Sequence, residues 1–182
     1  VDATGNDLAN LLYGQANSAA NVLAGGPGND IYHLGVGDRA VENADQGHDS
    51  VYGYGNEHTL AANVENLYLA VTGAATLTGN ELANSLRGNA GDDWLSGQAG
   101  NDTLNGGLGA DTLVGGPGDD HYTVDQTGDR VVEAADEGND IVHSPISWVL
   151  GDHLERLDLT GSDPVDATGN DLANLLYGQA NS

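Results

Sequence analysis

The sequence predicts an all-β fold: a parallel β-solenoid of about ten coils, each contributing two short strands. Three observations lead there. Residues 88–123 read as four successive blocks of nine, GNAGDDWLS, GQAGNDTLN, GGLGADTLV and GGPGDDHYT. A looser beat, mostly nine residues long, continues through the rest of the chain. The composition also suits a repetitive fold better than a globular core, since 28 of 182 residues are Gly while Phe, Met and Cys are absent.

Within a block, the first and fourth places are Gly, the sixth is Asp and the eighth is Leu or Tyr. Glycine admits positive φ and lets backbone approach backbone closely, so the first six residues form a turn. The last three form a strand. Side chains alternate along a strand, so only its middle residue faces inward: Leu95, Leu104, Leu113 and Tyr122. Two blocks close one coil, and coils stack about 4.8 Å apart. Every second block therefore lies above its like, with Asp102 over Asp120 on one edge and Asp93 over Asp111 on the other.

That stacking places carboxylates and turn carbonyls from two coils around one point. A hard cation such as Ca²⁺ takes six to eight oxygens at about 2.3–2.6 Å and fits such a gap. The candidate ligands are Asp93, Asp102, Asp111 and Asp120, with carbonyls of Gly91, Gly100, Gly109 and Gly118. The block GGPGNDIYH at residues 25–33 adds Gly26, Gly28 and Asp30. Asp30 stacks near Asp49 and Asp120 near Asp140; these later turns lack the leading glycines, so Asp49 and Asp140 are open to a structural reading as well as a ligand role.

The four blocks resemble the nonapeptide G-G-x-G-x-D-x-U-x of the RTX family of secreted, hemolysin-type calcium-binding proteins. The resemblance implies a β-roll with several Ca²⁺ ions between stacked turns. It also implies export of an unfolded chain and folding outside the cell, where calcium modules bind with Kd of about 10⁻⁴–10⁻³ M.

Taken in order, residues 1–18 recur unchanged as residues 165–182. Inside that long period lies a diverged one. GNDLANLLYG opens at Gly5 and Gly169, and GNELANSLRG opens at Gly79; GDRAVENADQGHDSV from Gly37 pairs with GDRVVEAADEGNDIV from Gly128. The expected division is one continuous solenoid over 1–182, with a first unit at 1–78, a second at 79–168 and the start of a next copy at 169–182. The inward positions expected from the beat are Ala3, Leu12, Leu23, Tyr32, Val41, Val51, Leu60, Leu69, Leu77, Leu86, Leu95, Leu104, Leu113, Tyr122, Val132, Val142, Leu150, Leu159, Ala167 and Leu176. Ala3 to Ala167 is eighteen steps on this count, so the repeated segment returns to the same side after nine coils. Tandem copies then join without a seam, and end-to-end or lateral self-association follows from uncapped strand edges.

Other residues carry less. Asn10, Asn84 and Asn174 take the aspartate place, and a neutral amide points to a hydrogen-bonded ladder rather than a strong cation site. Asn21 departs likewise. Asp38 and Asp129 precede Arg39 and Arg130 and read as local Asp–Arg pairs; Glu42 and Glu133 either reach a neighbouring ion or are solvated. The six histidines show no close pairing in sequence, Trp94 faces out and Trp148 packs in.

A net charge of −24 makes cations the expected partners and disfavours nucleic acid. No apolar run approaches the ~20 residues that span a bilayer. No nucleophile, base and orienter set recurs, so the chain reads as a structural module rather than an enzyme. The expected setting is a secreted adhesin, surface layer or extracellular fibre built of tandem copies. The alternatives are an accessory secretion and folding module of a secreted enzyme, and a glycan- or ice-binding outer face.

Overall fold

The computed structural model describes residues 2–14 and 19–178; of the block that opens at Gly14, residues 15–18 lie outside them. Twenty strands and no helix occur among the described residues, so none there is long and apolar enough to cross a membrane. The even-numbered strands are β2 (Leu11–Tyr13), β4 (Ile31–Leu34), β6 (Ser50–Gly53), β8 (Asn66–Leu69), β10 (Ser85–Arg87), β12 (Thr103–Asn105), β14 (His121–Thr123), β16 (Ile141–Ser144), β18 (Arg156–Leu159) and β20 (Leu175–Tyr177). The odd-numbered ones are β1 (Ala3–Thr4), β3 (Val22–Ala24), β5 (Arg39–Val41), β7 (Glu57–Thr59), β9 (Thr76–Thr78), β11 (Trp94–Ser96), β13 (Thr112–Val114), β15 (Arg130–Val132), β17 (Trp148–Val149) and β19 (Ala167–Thr168). Two strands per coil give about ten coils, the all-β parallel solenoid that the nine-residue period predicts.

All even strands join one ten-stranded parallel sheet in the order β2 to β20. The odd strands form sheets of three, five and two strands, interrupted between β5 and β7 and between β15 and β17. Both interruptions fall at the same place in the two units, just after the G-D-R segment. Cavities of about 380 and 350 Å³ lie there, one beside His58 and the other beside Trp148.

The core is a pair of stacked columns. Leu77, Leu95 and Leu113 pair in register on one side, and Leu86, Leu104 and Tyr122 on the other. All six are essentially inaccessible to water. Each such side chain contributes roughly 1.5–3 kcal/mol by leaving water, and the columns supply most of the apolar burial.

The structure corrects the inward register at six positions. Ala40 and Val131 face in where Val41 and Val132 were expected, and Val41 is exposed. His58, Leu67, Trp148 and Leu157 hold the column places assigned to Leu60, Leu69, Leu150 and Leu159. Those four leucines are still buried, because each lies two residues further along and so on the same face. Trp94 is exposed and Trp148 packs partly into the core, as the alternation requires. Ala3 and Ala167 both lie on the odd side, in β1 and β19, which agrees with the eighteen-step count.

Candidate metal centre

The turns stack into two edges, each a chain of hydrogen bonds from one coil to the next. On the edge that leads into the even strands, the backbone N–H of Asn10 donates to Asp30 Oδ1 at 2.6 Å, Asp30 to Asp49 at 2.8 Å, and Asp49 to Glu65 Oε2 at 2.7 Å. The second unit repeats the chain and lengthens it. Asn84 donates to Asp102 at 2.7 Å, Asp102 to Asp120 at 2.6 Å, Asp120 to Asp140 at 2.8 Å, and Asp140 to Glu155 at 2.9 Å. On the opposite edge, Ala75 donates to Asp93, Asp93 to Asp111, and Asp111 to Asp129. The stacked pairs Asp102/Asp120, Asp93/Asp111, Asp30/Asp49 and Asp120/Asp140 therefore exist as the spacing predicts.

Only one carboxylate oxygen is used in this way. The other, Oδ2 of Asp30, Asp102, Asp111 and Asp120, is buried and has no hydrogen-bond partner. It lies where a first-place side chain would go: a Cβ on Gly25, Gly97, Gly106 or Gly115 would overlap it. Glycine at that place is thus required by the carboxylate.

The fourth-place glycines meet a different demand. Gly28, Gly91, Gly100, Gly109 and Gly118 all have positive φ, as does Gly26 in the second place. The N–H groups of Gly28, Gly91, Gly100 and Gly118 tie one coil to the next, for example Gly100 to the Pro117 carbonyl at 2.9 Å. A Cβ on Gly109 or Gly118 would meet the carbonyl oxygen of Gly91 or Gly100, one coil earlier. These carbonyls therefore project into the space between successive turns, while the carbonyl of Gly106, a first-place glycine, lies with Asp93 Oδ2 about the place a Cβ on Gly88 would take.

The electrostatics are those of anions held away from water. Burial pushes Asp102 and Asp120 up to about 7, and Asp49, Asp111 and Asp140 up to about 6. Asp93 is raised by burial as well. Backbone N–H donors oppose these shifts without cancelling them. A bound divalent cation removes the penalty, and buried carboxylates with a free oxygen beside backbone carbonyls form a donor set of the hard, all-oxygen kind that Ca²⁺ prefers.

Several residues take roles other than those expected. Asp38 and Asp129 do not pair with Arg39 and Arg130; they cap turns. Asp38 accepts N–H groups from Asn21 and Gly35, and Asp129 from Asp111, Asp125 and Gln126. Among the described residues Arg appears in an ion pair only at Arg156–Asp158. The asparagines do not form an amide ladder. Asn84 Oδ1 accepts from Asn80 in its own turn, while its Nδ2 donates back to the carbonyls of Val64 and Glu65. Asn174 does the same against Leu154. At these seams the neighbour presents carbonyls, which demand a donor that a carboxylate lacks.

Glu65 and Glu155 end each chain of hydrogen bonds, a role that the nine-residue pattern does not assign to them. Their coils are short: 16 residues separate Ser50 from its partner Asn66, and 15 separate Ile141 from Arg156, against 18 in the nonapeptide run. The extra methylene of Glu lets its carboxylate reach the place Asp takes elsewhere. The signal was present two residues on, since Leu67 and Leu157 stand to Glu65 and Glu155 as Leu104 stands to Asp102. His121 and His143, distant in sequence, come within 3.2 Å across β14 and β16.

The model of one protein family, the RTX calcium-binding nonapeptide repeat in four copies, matches residues 4–39, 78–113 and 97–127. No curated protein matches the chain. The matched stretches hold Asp30, Asp93, Asp102, Asp111 and Asp120 with their glycine turns, and over these stretches the chain is built of RTX calcium-binding nonapeptide repeats.

Proposed function

We propose that the chain is a calcium-binding structural module whose fold is completed by the ions it binds. The carrying observation is the row of buried Oδ2 atoms, at Asp30, Asp102, Asp111 and Asp120, that have no partner within the protein. The ligands in this reading are Asp30, Asp49, Asp93, Asp102, Asp111, Asp120 and Asp140, with carbonyls of Gly26, Gly28, Gly91, Gly100, Gly109 and Gly118. Ordering the backbone costs about 1–2 kcal/mol per residue. A narrow apolar column and buried anions offset that cost poorly, and ions that bind only the folded coil supply the remainder.

The setting we propose is a secreted bacterial protein in which units 1–78 and 79–168 recur in tandem, residues 169–182 beginning the next. The support is the identity of residues 1–18 and 165–182 and their return to the same side of the solenoid, in β1 and β19. One period of nine coils advances roughly 43 Å at the usual strand spacing. Such an array suits an adhesin, surface layer or fibre that is exported unfolded and ordered by external calcium.

The test compares Asp111→Ala with Asn84→Ala in a calcium titration of folding followed by circular dichroism. Asp111 offers a free buried oxygen and Asn84 a satisfied amide, so the first substitution raises the calcium midpoint several-fold more than the second. Equal shifts would refute the assignment of ligands.

A further inference from the structure

Each unit contains one turn that departs from the nonapeptide in the same way. Ala24 pairs with Val41 and Val114 with Val132, so Glu42 stacks on Gly25 and Glu133 on Gly115. A glutamate thus stands where a regular block would begin with glycine, and its side chain turns into the interior. Glu42 is 7% exposed. Its Oε1 accepts hydrogen bonds from the Tyr32 hydroxyl and from the N–H of Gly25, 3.2 Å away. The Tyr122 hydroxyl holds Glu133 in the same manner. In both turns the second oxygen, Oε2, is buried without a partner.

In each unit the glutamate carboxylate converges with two aspartates. One carboxylate oxygen each from Asp30, Glu42 and Asp49 lie within 4.8 Å of one another, and the same holds for Asp120, Glu133 and Asp140. Asp30 and Asp49 are each 1% exposed, and Asp30 Oδ2 is unpartnered as well. Oxygens at that separation are bridged by one cation with bonds of about 2.3–2.6 Å. No Arg forms an ion pair with these carboxylates among the described residues. Three buried carboxylates without a counter-ion are costly unless a cation joins them.

We propose that each unit closes its run with a three-carboxylate cation site, Asp30–Glu42–Asp49 and Asp120–Glu133–Asp140, in which Tyr32 and Tyr122 fix the glutamate. The site differs in kind from the two-aspartate stacks: it draws a third negative ligand from a turn that lacks the leading glycines. It rests on the calcium reading for its two aspartates and adds a ligand class to it. The greater negative charge favours cations of higher charge density, so trivalent lanthanides bind here before they fill the rest of the chain.

The experiment counts ions on the whole chain. Calcium bound at saturation is measured by equilibrium dialysis for the wild type and for Glu42→Gln/Glu133→Gln, with circular dichroism confirming the folded state. The variant is expected to bind two ions fewer and keep its sheet signal; an unchanged count would overturn the proposal. Should the variant fail to fold, europium excitation spectra of the wild type decide, because the band position follows the number of anionic ligands. Two equivalents with a three-carboxylate band are expected, and a single two-carboxylate class would overturn the site. A wild type that binds only two ions, both lost in the variant, would leave this site standing and remove the nonapeptide sites. Binding no ion at all would remove both.

Discussion

The two units share a scaffold and differ in how much of it carries aspartate. Both open on an asparagine turn, Asn10 or Asn84, and both end on a glutamate, Glu65 or Glu155. Between them the first unit places two aspartates on that edge, Asp30 and Asp49, and the second places three, Asp102, Asp120 and Asp140. On the opposite edge the first unit has Asn21 above Asp38, where the second has Asp93, Asp111 and Asp129. Both units also break the odd-numbered sheet at one point and place a tyrosine-held glutamate beside it. The lesson is that the seams are fixed, while the number of stacked aspartates varies with the number of nonapeptides inserted between them.

The largest expected effect on stability comes from the columns. Leu104 is sealed between Leu86 and Tyr122, whereas Leu12 has Tyr32 on one side and lies in the first described coil. In saturating calcium Leu104→Ala should cost about 2–5 kcal/mol, and Leu12→Ala should fall at or below the low end of that range. Urea denaturation of each variant checks it. Equal losses would mean that the units fold as one block whose ends are as constrained as its middle.

Proton binding separates the units next. In the second unit burial raises Asp93, Asp102, Asp111, Asp120 and Asp140, and it takes Glu133 up to about 9; in the first the clear case is Asp49. A carboxyl whose folded pKa exceeds its unfolded value of about 3.9 favours the fold fully below that value and withdraws the support as pH rises through the folded value. The metal-free chain should therefore gain sheet on acidification from about pH 9 to about pH 4, mostly between residues 79 and 168. Hydrogen exchange resolved by segment measures this, and protection that appears first in residues 2–78 would contradict it.

A smaller effect sharpens the same contrast at one residue. In the second unit Gln98 has φ +86, where Gly26 holds the equivalent turn place in the first. A non-glycine residue in that region costs roughly 1–2 kcal/mol. Gln98→Gly should recover part of that strain, offset by the greater entropy of an unfolded glycine. A rise of a few degrees in the melting temperature with calcium present is expected; a fall would show that the bond from Gln98 Nε2 to Ser96 outweighs the strain.

How much was legible in the sequence follows from the same contrast. Where the blocks are strict, the six-place aspartate and eight-place leucine fixed the stacking of Asp93 on Asp111 and of Leu104 on Tyr122 without reference to coordinates. Where the blocks loosen, counting apolar residues failed. Val41 is larger than Ala40 and Val132 equals Val131, so side-chain size does not mark the inward place there. The better rule was chemical: the inward residue stands two places after the side chain that accepts the stacked N–H. Asp38 gives Ala40, Asp129 gives Val131, Glu65 gives Leu67 and Glu155 gives Leu157. The glutamate boxes were harder to see, because their meaning depends on Glu42 stacking over Gly25, a relation between coils that linear spacing does not display.

The central claim is that cations between stacked turns hold this polyanion folded, and far-ultraviolet circular dichroism at neutral pH tests it most directly. In excess chelator the chain should give the spectrum of a disordered polymer, and calcium should restore a β spectrum in a cooperative, reversible step. A full β spectrum that survives exhaustive chelation would contradict the account.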